Sequence, residues 1–264
     1  VTECSGEASL KSQSAVARSP LDRGVSSAVH QNRLLASLTD EAYDQLRPYL
    51  LPTILEYKYP LYEPNVPIEF VHFINTGVAS MVHTMMNGDT AEVGTVGNEG
   101  FVGIPILFGD KQAPMSAYMQ VGGSGLRIKV NRFREVIQRN PWMQRAMLHY
   151  AHTFLNQIAQ SAACNTFHLL IQRCCRWLLM TQDRMQSNDF QLTQEFLAMM
   201  LGARRSGVSD AANALKQAGL IKYNRGRVTI LDRAGLEKHS CECYGVMKRE
   251  FDQFLRFLPQ YGSR

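Results

Sequence analysis

Residues 192–231, LTQEFLAMMLGARRSGVSDAANALKQAGLIKYNRGRVTIL, constrain the fold of this chain more than any other stretch. Thr193 can cap a helix whose apolar positions Phe196, Leu197, Met200 and Leu201 recur at helical spacing. Gly202 stands where a tight turn needs positive φ. A second helix then opens at Arg204-Arg205-Ser206, with Val208, Ala211, Ala212 and Leu215 as its buried face. Helix, turn and helix in this order place the second helix against base edges in a DNA major groove. The polar side of that helix carries Arg204, Arg205, Ser206, Ser209 and Lys216. A hairpin around Asn224-Arg225-Gly226-Arg227 follows, and Asn and Gly suit its tight turn. Lys222, Arg225 and Arg227 on this wing suit phosphate contact, as do Thr193 and Gln194 at the start of the first helix. Two arginines on a helix are commonly only a solvated face; the basic, acid-poor wing tips the reading toward DNA.

At 264 residues the chain has room for two cores. A net charge of +5 fits one basic face, not a polycation. No apolar run approaches the roughly 20 residues of a membrane span. The N-terminus lacks a secretory pattern, so the cytoplasm is the expected compartment, with no membrane partner. The six cysteines are Cys4, Cys164, Cys174, Cys175, Cys241 and Cys243. Reduced, structural thiols are the expectation in that compartment. No metal site and no cofactor is assigned from their spacing, although Cys241 and Cys243 have room to join a shared site. Neither a P-loop, nor an H-E-x-x-H pair, nor a Ser/His/Asp arrangement is present, so catalysis is not expected.

Organisation follows from pattern. Residues 1–29, rich in Ser, Ala and Gly, read as a flexible tail. Residues 30–141 read as a sensor domain that begins with short helices, the second capped by Thr39. From Thr53 to Val130 short β-runs alternate with turn residues, which suggests an antiparallel barrel or jelly roll. Asn87-Gly88-Asp89 and Asn75-Thr76-Gly77 read as hairpins, and Gly122-Gly123-Ser124-Gly125 as a loop. Residues 131–140 form a short helix stopped by Pro141. Residues 142–166 form a long helix with Met143, Met147, Tyr150, Phe154, Ile158 and Ala162 near heptad spacing, suited to packing on the barrel or on a second copy. Homodimerisation through this helix is expected, matching symmetric half-sites. Residues 167–264 read as the DNA-binding domain, ending in a helix faced by Met247, Phe251, Phe254 and Leu255. The fold class is α+β.

Over about residues 32–232 the sequence resembles the cyclic-AMP receptor / fumarate-nitrate regulator (Crp/Fnr) superfamily of transcription factors. The resemblance rests on G-N-E-G-F-V-G (97–103), R-F-R-E-V-I-Q-R-N-P (132–141) and L-T-Q-E-F-L-A-M-M-L-G-A-R-R-S-G-V (192–208). It implies a homodimer on double-stranded DNA, a sensor barrel, and RNA polymerase as a partner if the protein activates. Arg205 falls on the family's base-reading arginine, whose fork suits guanine, while Ser206 replaces the usual glutamate and Asp210 a second basic reader. The family's cyclic-nucleotide binders carry a G-E-L-A…R-S/T-A cassette. Here Gly103-Ile104 and Met115-Ser116 stand in those places, with Ile104 for the glutamate and Met115 for the arginine. Burying a phosphate without a cation is costly, so cyclic AMP is not expected to bind. Phe101, Gly103, Ile104, Met115, Ser116, Phe154 and Ile158 are the candidate lining of a pocket for a more apolar effector, if any. No N-terminal cysteine cluster for an iron–sulfur centre exists, since Cys4 stands alone, and His72 or His83 as a haem ligand is disfavoured. The competing reading is a ligand-binding module that acts on a protein partner.

Overall fold

Turn and capping chemistry sets the element boundaries. The computed structural model of the chain describes residues 31–258; the expected tail and Cys4 lie outside them. Asn32 caps α1 (Arg33–Ala36) by accepting from the Leu35 N–H, and Thr39 caps α2 (Asp40–Leu46) through the Ala42 N–H. Strands β1 (Leu51–Leu55), β2 (Pro60–Tyr62), β3 (Phe70–Thr84), β4 (Thr90–Val96), β5 (Phe101–Val102) and β6 (Ser116–Lys129) follow. They form one antiparallel sheet in the order β1-β6-β3-β4, with β2 on β6 and β5 on β3. The expected barrel is thus an open sheet, folded over its own core.

Two sequence-predicted turns are strand interior. Asn75-Thr76-Gly77 does not reverse the chain; it lies inside β3, where the pairing with β6 slips register. Gly77 has φ +100, and a side chain there would strike the Val121 carbonyl. Gly123 and Gly125 likewise lie inside β6, Gly123 paired with β1 and Gly125 with both β1 and β3. A Cβ on either would overlap the β3 backbone, at Thr76 O and Phe73 O. These glycines permit the close approach and bend that two long strands need to wrap a core. Asn87-Gly88 does turn the β3–β4 hairpin, with Gly88 at φ +87.

Pro141 ends α3 (Val130–Arg139) and also opens α4 (Pro141–Phe167) at its first turn, where a missing N–H costs nothing. Asn140 caps α4 through the Met143 N–H at 3.0 Å. Helix α5 (Leu170–Met185), β7 (Asp189–Gln191), α6 (Gln194–Leu201), α7 (Arg205–Gln217), β8 (Ile221–Asn224), β9 (Arg227–Ile230), α8 (Arg233–His239) and α9 (Cys243–Phe257) complete the chain.

The apolar residues collect in two main cores. One joins α1, α2, the sheet, α3 and α4 around Phe73, Phe101, Phe133 and Tyr150. The other joins α5 to α8 with the small sheet, and takes in Val78 and Val121 from the larger one. The sequence reading assigns the last helix to the DNA-binding domain, but its face does not pack there. Met247, Phe251, Phe254, Leu255 and Leu258 complete the first core, with the Phe254 ring 6.1 Å from that of Tyr150. Outside this contact Arg33 pairs with Asp252 at 2.6 Å.

Candidate nucleic-acid interface, sensor cavity and their junction

Helix α6 starts with the Thr193 hydroxyl accepting from the Phe196 N–H and stops at Gly202, which is left-handed at φ 54 and ψ 43. The Ala203 N–H closes the turn onto Ala198 O at 3.0 Å. Helix α7 then buries the expected face, Val208, Ala211, Ala212 and Leu215. Gly207 leaves room for Leu170 beneath it. Arg204, Arg205, Ser206 and Lys216 are exposed. Arg204 occupies the cap position and no side chain caps the helix, so its first N–H groups stay open to an anion. Ser209 is half-buried and donates to Gln194 Oε1 at 2.9 Å, which fixes the start of α6 against α7.

The wing is three-stranded, in the order β7-β9-β8; β7 was not foreseen. Arg225 (φ 45) and Gly226 (φ 75) form the turn, both left-handed, as a twisted two-residue hairpin requires. Lys222, Arg225 and Arg227 are exposed. The Tyr223 hydroxyl donates to Leu192 O at 3.0 Å, and the Leu192 N–H reaches Gly226 O at 2.8 Å, so wing and helices form one rigid unit.

Between β5, the 3-10 turn Ile104–Phe108 and α4 lies a cavity of about 490 Å³. Phe101, Gly103, Ile104, Met115, Phe154 and Ile158 line it. Ser116 does not, because its hydroxyl turns away to Val82 O at 3.3 Å. Leu148, His152 and Leu155 of α4 close the outer side. Among the described residues no carboxylate and no Lys or Arg faces the space. His72 is buried in β3 and His83 is exposed near its far end.

Sequence reasoning missed what joins the two cores. In the segment Gly97-Asn98-Glu99-Gly100, Glu99 pairs with Arg184 of α5 through contacts of 2.6 and 3.3 Å, both side chains only 6% exposed. Arg184 also donates to Thr95 Oγ1, Thr95 O and Gln157 Oε1, at 2.5, 3.2 and 3.1 Å. A Cβ on Gly97 would overlap the Arg184 chain, and one on Gly100 the Tyr150 ring. The segment is therefore a socket in which β4, α4 and α5 meet. A second contact sets Phe196 of α6 against Tyr57 in the β1–β2 turn and Tyr118 of β6, with ring centroids 5.5 and 6.1 Å apart. Thr193, Arg225 and Arg227 consequently face Tyr57 and Gln120 across a groove of about 470 Å³.

Two family models match the chain: a cyclic nucleotide-binding domain over residues 58–140 and a Crp-like helix-turn-helix domain over residues 172–239. Together they span more than half of it. The chain belongs to the Crp/Fnr superfamily. Among similar solved structures is the regulator CLP of Xanthomonas campestris, described as c-di-GMP responsive; it shares 14% identity over 74% of this chain and 100% of its own, with a TM-score of 0.60. FixK2 of Bradyrhizobium japonicum shares 13% identity over 73% of this chain and 98% of its own, also at 0.60. A putative cAMP-binding regulatory protein of Silicibacter pomeroyi DSS-3 shares 19% identity over 82% of this chain and 99% of its own, at 0.60. At these identities the likeness is one of fold. No curated protein matches the chain. Within the Crp/Fnr frame the cavity sits in the cyclic-nucleotide-binding domain and α6–α7 form the helix-turn-helix. Among the described residues no helix is long and apolar enough to cross a membrane.

Proposed function

We propose that this Crp/Fnr-type transcription regulator reads double-stranded DNA as a homodimer and senses an apolar small molecule, not a cyclic nucleotide. The open, arginine-bearing start of α7 carries the DNA reading. Arg205 reads a base edge; Arg204, Ser206 and Lys216 support it from the same exposed face. Thr193, Gln194, Lys222, Arg225 and Arg227 contact phosphate, with Ser209 bracing Gln194.

The dimer reading rests on α4. Of the expected stripe, Met143, Met147, Tyr150 and Phe154 are buried in the chain's own core and Ile158 is half-buried, so they are not the seam, while Ala162 is exposed. A second line, Leu148, Leu155 and Ala162, recurs every seven residues and is exposed, Leu155 at 60%. That spacing suits a left-handed helix pair along a two-fold axis. Leu148 and Leu155 also wall the cavity, so an occupant would act directly on the seam.

The effector reading rests on the cavity wall. Cyclic AMP would bring a buried phosphate to a space with no Lys or Arg among its described lining residues. A cyclic dinucleotide, to which the Xanthomonas regulator responds, would meet the same lack. RNA polymerase is a partner if the protein activates, and the cytoplasm is its compartment. Action on a protein partner alone would leave the exposed arginines of α7 and the wing without a role.

Selection of genomic fragments by the purified protein at physiological salt, then sequencing, tests the DNA reading. A two-fold symmetric motif is expected. Absence of enrichment, with and without a panel of apolar ligands, would refute it.

A further inference from the structure

The DNA reading leaves four residues unused at the junction of α4 with the α8–α9 corner. Cys164 lies in the last turn of α4, and His168 follows that helix, its N–H on Cys164 O at 3.1 Å. Cys241 lies between α8 and α9, and Cys243, beyond Glu242, is the first residue of α9. The three cysteines are buried against one another, apart from both larger cores. One ligand atom from each of the four residues lies within 4.8 Å of all the others. Cys164 Sγ is 3.5 Å from Cys241 Sγ, and Cys243 Sγ is 3.5 Å from His168 Nδ1. A tetrahedral zinc ion with Zn–S near 2.3 Å and Zn–N near 2.0 Å sets its ligands about 3.5–3.8 Å apart.

We propose that Cys164, His168, Cys241 and Cys243 form a tetrahedral zinc site. Core packing alone would not orient the surrounding groups as they are. The imidazole turns Nδ1 to the sulfurs and Nε2 to the Glu242 carboxylate, 3.1 Å away, the carboxylate–histidine–metal order of bound zinc. The Gln160 amide donates to Cys243 Sγ at 3.0 Å, as to a ligating thiolate. Three thiolates with Zn²⁺ leave one negative charge. The buried guanidiniums of Arg173 and Arg176 lie within electrostatic reach of Cys164 and Cys241 to offset it. Cys174 and Cys175 belong to the head core and take no part. The metal would tie the end of α4 to the corner leading into α9, across the extended His168–Leu169 link between sensor helix and DNA head.

The test uses the full chain, purified under reductant without chelator. Elemental analysis should find one zinc per chain, released when a mercurial titrates the thiols. Replacement by Co²⁺ should give the intense visible band of tetrahedral cobalt with near-ultraviolet thiolate charge transfer. Cys243→Ser should lower the charge-transfer intensity. Because that variant risks misfolding, Glu242→Gln, at a side chain 72% exposed, supplies a second readout. It should keep the spectrum and weaken affinity about 10–100-fold. Reduced protein that binds neither metal, or that shows octahedral cobalt, would overturn the proposal. So would a Cys164–Cys241 disulfide that forms in the presence of saturating zinc.

Discussion

Glu99→Ala removes one half of the ion pair at the socket and strands Arg184. At an effective dielectric of about 20, unit charges about 4 Å apart attract by about 4 kcal/mol. Both groups are 6% exposed, so water cannot replace the lost partner. Arg184 keeps Thr95 and Gln157, which supply dipoles but no countercharge. The expected destabilisation is about 3–5 kcal/mol, the range for a broken buried pair. Glu99→Leu with Arg184→Met removes both charges and should cost less than either single change. Urea unfolding provides the assay, since each core holds its own reporter, Trp142 at the sensor side and Trp177 in the head. In Glu99→Ala the two reporters should unfold at separate midpoints, because the joint fails before the cores do. A cost below about 1 kcal/mol, as at a solvated pair, would refute the reasoning. A double variant as unstable as the sum of its singles would do the same.

Four shorter expectations follow from the same geometry. Arg205→Ala should cost about 1–3 kcal/mol of operator binding and relax one base position, whereas Arg227→Ala should weaken all sequences alike and flatten the salt dependence; gel shifts on operator variants at several salt concentrations check both. Leu155→Glu places a charge on the proposed seam of α4 and should give monomers in sedimentation, with operator affinity lost. Tyr118→Ala, which frees Phe196 from the sheet, should raise ligand-free operator affinity if the docked head restrains the wing, and fluorescence anisotropy reads this directly. Finally, burial and the Arg127 charge lower the pKa of His72 to about 4. The unfolded chain takes up this proton near pH 6.5 and the native one does not, so stability should fall by up to about 3 kcal/mol from pH 6.5 to 4; His72→Leu should remove that part of the acid slope in urea titrations.

Local chemistry was legible in the sequence. Thr39, Thr193, Gly202 and Asn87-Gly88 each dictate a cap or turn within a few residues, and each does so in the structure. The recognition helix and its buried face follow from the same short-range rules. Long-range pairing was not legible. Gly77, Gly123 and Gly125 carry turn chemistry, yet serve a close crossing of β3 and β6 that only tertiary contact reveals. The heptad pattern of α4 was visible, but two offset apolar lines fit it, and only the sheet decides which is covered. Nothing local marks Glu99 and Arg184 as a pair, because they lie 85 residues apart. The same distance problem hid the cysteines: Cys241-Glu-Cys243 lacks ordinary zinc spacing until Cys164 and His168 are brought beside it.

The return of α9 to the first core has a consequence for how the molecule is made. A ribosome releases the sheet and α4 first, then the helix-turn-helix and wing, and only then Met247, Phe251, Phe254 and Leu258. The small head can close from contacts near in sequence, but the sensor core lacks one wall until the whole head has emerged. Each newly made chain therefore passes through an interval in which its DNA-reading part is assembled and its sensing part is still open. Stalling or clipping before residue 247 would prolong that interval indefinitely.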